Sequence, residues 1–319
     1  YKAPVPKAET DSEYGTYFKG LSEGKPKARF VDFSKDFTML DLGDNAKLGH
    51  VYNPLNSIFE LEIRFGLGTR SNPMLDQATQ YMNTVGSKKQ SDEEIKKQMN
   101  QNGLVYSIVA SDNYVTINLS GNEEAMGIGL SLLQELVTKP EVNDEQVKQV
   151  GRTAMATHQQ EFANPQAVGS ALYDFARYGD KSSYMTRLTA AKAGSRDAKE
   201  LVSAFKEALT YGSTAHFSGT LSPEKVKTLL MENFYSKVKN KQAAGYTPME
   251  MVSYNEPVIY FCQRKDANQT QIYFYKEGSE WSPEDELARI AFNRYFGQGF
   301  SALVLQEIRE YRSLAYNAR

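Results

Sequence analysis

One cysteine, one tryptophan and three histidines in 319 residues leave little room for several kinds of chemistry. The single Cys262 excludes an internal disulfide and any thiolate-rich metal site. It follows the apolar run Val258-Ile259-Tyr260-Phe261, where a thiol reads as buried and inert rather than nucleophilic. His50, His158 and His216 are too far apart in sequence to form a metal pair, and each reads as a surface or internally satisfied residue. There is no Gly-x-Ser-x-Gly elbow, and neither Gly66-Leu67-Gly68 nor Gly297-Gln298-Gly299 completes a nucleotide loop, so both are read as tight turns. No apolar run approaches the roughly 18 residues that a membrane span requires. Charge of one sign is lacking too: 37 basic against 39 acidic residues give a net charge of −2, which favours neither nucleic acid nor an anionic membrane.

What the chain does have is an internal repeat. From Ile58 to Tyr106 the order is an alternating strand, an Asn72-Pro73 helix start, a helix stopped at Gly86, a second helix from Ser91, and Leu104-Val105-Tyr106. The same order returns as a strand at Ile272 to Tyr275, a Ser282-Pro283 start, a helix stopped at Gly297, a second helix from Ser301, and Leu314-Ala315-Tyr316. Pro73 and Pro283, Ser91 and Ser301, Leu104 and Leu314, and Tyr106 and Tyr316 are each 210 residues apart (283−73). A duplicated αβ unit is the simplest cause.

The pattern around the repeat predicts an α+β fold of duplicated modules, each a mostly antiparallel sheet covered by helices on one face. Phe59, Leu61, Ile63 and Phe65 alternate with Glu60, Glu62 and Arg64, as do Val115, Ile117 and Leu119 with Thr116 and Asn118. Each is a strand with one buried face and one wet face. Apolar stripes at spacings of three and four, Leu75-Ala78-Met82-Val85 and Met126-Leu130-Leu133-Leu136, predict covering helices. A long helix is expected from the cap Asn143 to Phe162, others over 165–178, 196–210 and 222–235, and a strand over 213–219. The expected organisation is an arm or linker over 1–37, a first module over 38–237, a connection over 238–256 containing Gly245 and Pro248, and the start of a second module over 257–319. The second module is expected to be truncated, with apolar surface left exposed unless another chain covers it.

The two-module order, with Gly297-Gln298-Gly299-Phe300-Ser301, Leu305-Gln306-Glu307-Ile308-Arg309 and Ser313-Leu314-Ala315-Tyr316, resembles the pitrilysin or insulinase-like metallopeptidases, a family that includes the mitochondrial processing peptidases. The resemblance covers roughly residues 40 to 319 and is most specific over 297–316. It implies a clam of two halves around a chamber, with zinc in one half only, held by a His-x-x-Glu-His motif and a later glutamate. Aligned on Gly86, the motif positions here are Gln77, Gln80 and Tyr81. Glutamine is a poor zinc ligand that cannot accept a proton from water, and a phenol with pKa near 10 is costly to ionise. Glu145 and Glu161 stand at the ends of the helix where the third ligand is expected, with no acid between them. The resemblance therefore implies no metal and no cofactor in this chain, with zinc in a partner half that is either upstream in the same polypeptide or a separate subunit. It also implies that this half alone is inactive, and that Arg309 and Tyr316, seven apart (316−309), are lent to a peptide substrate or its oxyanion at the partner's zinc. Module one has Met99 and Tyr106 at those places, so the pair occurs once. The other reading left open is a non-proteolytic scaffold or peptide-binding subunit of the same fold.

Overall fold

The computed structural model describes residues 12–22, 24, 32–245, 247–265, 268–279 and 282–319. Much of the expected arm over 1–37 lies outside them. The elements run α1 (Glu13–Lys19), β1 (Thr38–Gly43), β2 (Ala46–Tyr52), β3 (Ile58–Phe65), α2 (Leu75–Met82), α3 (Asp92–Gln101), β4 (Leu104–Ala110), β5 (Val115–Asn122), α4 (Met126–Thr138), α5 (Asp144–Ala163) and α6 (Pro165–Tyr178). There follow α7 (Ser183–Thr186), α8 (Ala190–Gly194), α9 (Ala198–Ala208), β6 (Ser213–Gly219), α10 (Pro223–Asn233), α11 (Glu286–Phe296) and α12 (Leu303–Leu305). The fold is α+β, and it divides into a larger unit over 30–275 and a smaller one made of 1–29 with 276–319.

The larger unit is built on a six-stranded sheet in the order β1-β2-β6-β3-β5-β4, antiparallel except where β2 runs parallel to β6. Central β3 alternates as its sequence requires: Phe59, Leu61, Ile63 and Phe65 are buried while Glu60 and Arg64 are exposed. The buried side meets Leu75, Ala78 and Met82 of α2, Leu130, Leu133 and Leu136 of α4, Leu201 and Phe205 of α9, and Val226 and Leu230 of α10 in one continuous core. The other side is polar. There Glu62 pairs with Arg64, lies opposite His216 in the ladder, and neighbours an Asn118-to-Ser107 hydrogen bond of 3.1 Å.

Local chemistry sets the element ends. Ser91 and Glu94 close a capping box at the start of α3, Asn143 accepts from the amides of Glu145 and Gln146 at the start of α5, and Asn72 accepts from Met74 before α2. The hairpin joining β1 to β2 was not predicted from the sequence. It turns on Asp44 and Asn45, both with positive φ, a conformation these two residue types tolerate.

The smaller unit behaves differently. Helix α11 forms between Ser282-Pro283 and Gly297 as predicted, yet none of its residues is buried. The helix expected from Ser301 is a short α-turn, α12, that runs into a π-helical turn over Gln306–Glu310. In the larger unit, the strand expected over 272–275 has no ladder among the described residues, and Phe274 is 90% exposed. Extended chain becomes a strand only when a second strand takes its backbone groups. No helix among the described residues is long and apolar enough to cross a membrane.

Candidate functional site

Two places carry the residues singled out from the sequence. The first is the helix α2 face where a metal motif would lie. Gln77 is 3% exposed and donates from Nε2 to the Ala193 carbonyl at 3.3 Å. Tyr81 is fully buried, donates to the Glu141 carbonyl at 3.0 Å and accepts from the Asn143 amide at 2.9 Å. Burial raises its pKa above the ordinary value, so the phenol stays neutral and pins the start of α5 to α2. Gln80 is half-buried beside them. On α5, Glu145 pairs with Lys148 at 2.6 Å and Glu161 with Arg187 at 2.6 Å. Sixteen helical residues separate these two acids, about 24 Å along the axis. Gln77 and Tyr81 are thus tied to backbone groups and the two acids of α5 to cations, and the neutral Gln77, Gln80 and Tyr81 do not fit a zinc ion. Among the described residues no cluster of three or more His, Cys, Asp or Glu side chains could hold a metal.

His50 and His216 sit on the neighbouring strands β2 and β6, one register step apart and so on opposite faces of the sheet. His50 is buried, donates from Nε2 to the Leu221 carbonyl at 2.7 Å and stacks on Phe217. His216 is half-buried on the polar sheet face, and burial followed by the nearby Arg64 lowers its pKa. His158 lines an open cavity of about 870 Å³ in the larger unit, together with Gln77 and Gln80 of α2, Glu161 and Phe162 of α5 and Phe175 of α6. That cavity gathers five or more separated segments, and no spacing in the sequence announces it. Cys262 was expected to be buried and is exposed on the cavity wall. The apolar run around it has no sheet to enter.

The second place is the end of the smaller unit. The π-helical turn closes with the Tyr311 amide on the Gln306 carbonyl at 2.9 Å, and Ser313, with φ of 50°, reverses the chain. The Leu314 amide then returns to the Ile308 carbonyl at 3.0 Å. This reversal brings the two predicted residues together: the Arg309 guanidinium carbon lies 4.8 Å from the centroid of the Tyr316 ring and 5.9 Å from that of Phe300. Arg309 Nε also faces Glu310 at 3.4 Å, and Tyr316 is 82% exposed. At the matching places of the larger unit Met99 is buried, and the Tyr106 hydroxyl has no hydrogen-bond partner.

In the larger unit the metal-motif face carries the neutral side chains Gln77, Gln80 and Tyr81, and in the smaller unit Arg309 stacks on the exposed Tyr316. Residues 213–319 match the sequence model of the peptidase M16 inactive domain. The match covers the last 107 of the 319 residues (319−213+1). Solved structures share the fold. A peptidase M16 inactive domain from Pseudomonas fluorescens is 16% identical with a TM-score of 0.66, over 88% of this chain and 69% of that one. A conserved protein from Enterococcus faecalis is 15% identical with a TM-score of 0.68, over 89% and 71%. The ferredoxin protease FusC, solved in complex with Arabidopsis ferredoxin, is 14% identical with a TM-score of 0.59, over 79% of this chain and only 27% of its own. No curated protein sequence matches the chain.

Proposed function

We propose that this chain is the zinc-free half of a clam-shaped metalloendopeptidase, closing a chamber against a zinc-bearing half and lending Arg309 and Tyr316 to the substrate there. The observation that carries the reading is the Arg309–Tyr316 stack at 4.8 Å, inside the segment that matches the inactive domain. An exposed phenol donates a hydrogen bond to an oxygen that gains charge as a peptide carbonyl is attacked, and a guanidinium fork holds a carbonyl or carboxylate beside it. Metal chemistry belongs to the partner half, since Gln77, Gln80 and Tyr81 do not fit the ion. The polar sheet face with Glu60, Glu62 and Arg64 faces the chamber in this reading. An arm over 1–37, modules over 38–237 and 257–319, and a connection over 238–256 are part of the same proposal. A polypeptide substrate is supported by the shared fold with FusC, which holds ferredoxin in its structure.

The test is reconstitution. The purified chain alone should cleave no peptide, and adding a zinc-bearing half should give chelator-sensitive cleavage. In that assembly Arg309→Ala or Tyr316→Phe should lower turnover at least ~10-fold with assembly intact. Unchanged turnover would remove the pair from the mechanism and favour the non-proteolytic scaffold.

A further inference from the structure

Strand β4 is an edge of the six-stranded sheet, and from Leu104 to Ala110 it holds no charge and no proline, the usual devices that keep a sheet edge from pairing with another chain. Its ladder with β5 decides which backbone groups are already used. The Asn122 amide bonds to the Gly103 carbonyl at 3.4 Å, and the Ser111 amide to the Tyr114 carbonyl at 2.8 Å. In the alternation of an antiparallel pair, Val105, Ser107 and Val109 therefore bond to β5, while Leu104, Tyr106, Ile108 and Ala110 turn their N–H and C=O groups outward. Among the described residues, Ile108 alone of these four finds a partner for its backbone. That partner is a side chain. Asn83, just past the end of α2, accepts from the Ile108 amide at 3.0 Å and donates to the Ile108 carbonyl at 2.6 Å, with its second N–H on the Thr79 carbonyl at 2.8 Å. A carboxamide offers the same donor and acceptor as a peptide group, so Asn83 takes the place of one residue of a seventh strand.

The edge is complementary to itself. When two copies meet antiparallel about a twofold axis at Ser107, Leu104 falls opposite the partner's Ala110 and Tyr106 opposite the partner's Ile108, so outward groups meet outward groups along the whole strand. On the polar side of the sheet Val105, 66% exposed, falls opposite the partner's Val109, 45% exposed. Apolar cross-strand pairs of this kind stabilise a ladder, and the seven residues carry no charge to oppose it. The pairing draws on Ile108 of both copies. There Asn83 holds both backbone groups and stands where the partner's Tyr106 would lie. A cap on α2 needs only the bond to Thr79, which leaves the two bonds to Ile108 without a role in the helix.

We propose that β4 is a masked self-association edge whose occupant is a second copy of this chain, and that Asn83 is the plug that keeps it closed. The proposal involves neither Arg309 and Tyr316 nor the motif positions of α2, so it stands or falls separately from the catalytic reading.

Sedimentation and amide exchange on the full chain test it. In the parent, the Ile108 amide should exchange more slowly than that of Tyr106. Asn83→Ala, and Asn83→Ser with a side chain too short to reach Ile108, should each double the sedimenting mass relative to the parent at about 100 μM. The Tyr106 amide should become protected as that species forms. Adding Val105→Lys, which sets an ammonium against the partner's Val109, should return the Asn83→Ala protein to the parent's mass. Circular dichroism of each variant should match that of the parent. An unchanged mass in both Asn83 variants, a mass increase that Val105→Lys does not reverse, or an Ile108 amide that exchanges as fast as that of Tyr106 would overturn the proposal.

Discussion

Helices α2 and α11 begin and end alike, each opened by a proline after a capping residue and stopped near a glycine, yet they make opposite use of their apolar residues. Helix α2 buries Leu75, Ala78, Tyr81 and Met82, whereas α11 leaves Leu287, Ile290 and Phe292 exposed. The difference lies beneath the helix. A six-stranded sheet meets α2, and the matching stretch over 257–282 offers no ladder among the described residues. Periodicity is enough to make a helix; a core needs a partner surface. The sharpest way to break this comparison is to truncate one ring in each region. Phe217 is 2% exposed between His50 and Phe59, and Phe217→Ala should cost about 3–5 kcal/mol in urea unfolding. Phe292 is 58% exposed, and Phe292→Ala should change stability by less than about 0.5 kcal/mol. A large loss at Phe292 would mean that α11 is packed in solution.

The repeat also places two unlike pairs at equivalent positions. Met99 and Tyr106 belong to the larger unit's packing, and Arg309 and Tyr316 sit at an exposed turn. A stacked, solvent-facing pair contributes little to folding, so Arg309→Ala should leave the unfolding midpoint unchanged while lowering reconstituted turnover at least ~10-fold, about 1.4 kcal/mol or more of transition-state stabilisation. Equal effects on stability and turnover would reduce the pair to a structural contact.

How far the sequence foretold this comparison varies with how local each cause is. Strand β6 over 213–219, α6 over 165–178 and the Asn143 cap follow from alternation, length and a side-chain oxygen, all readable within a few residues. The β1–β2 hairpin carried its signal in Asp44-Asn45, but the flanking residues alternate too weakly to make the turn decisive. The cavity was not legible, since its walls come from helices and loops brought together only by folding. Tyr81 was read as a lost ligand position; the structure adds what it does instead. Tyr81→Phe would strip the Glu141 carbonyl of its donor and the Asn143 amide of its acceptor at a partly buried contact, costing about 1 kcal/mol in urea unfolding. A neutral substitution there would mean that α5 starts without help from α2.

The smallest effect is a pH dependence at Tyr106. Burial, and after it the charge of Asp92, pushes the Tyr106 phenol up to about 12, while its hydroxyl bonds to nothing. A folded pKa above the ordinary value near 10 means that the unfolded chain ionises first. The stabilising contribution is therefore complete below pH 10 and is lost as pH climbs from 10 towards 12. Tyr106→Phe removes the titrating group and no hydrogen bond, so the urea midpoint should be unchanged at pH 8 and should fall less steeply above pH 10 than in the parent. Tyr235, whose hydroxyl meets Ser213 at 2.8 Å, supplies the contrast: Tyr235→Phe should cost about 1 kcal/mol already at pH 8. If Tyr106→Phe proved as costly at pH 8 as Tyr235→Phe, the hydroxyl of Tyr106 would have a partner in solution, and the two halves of the repeat would be less different than their pairs suggest.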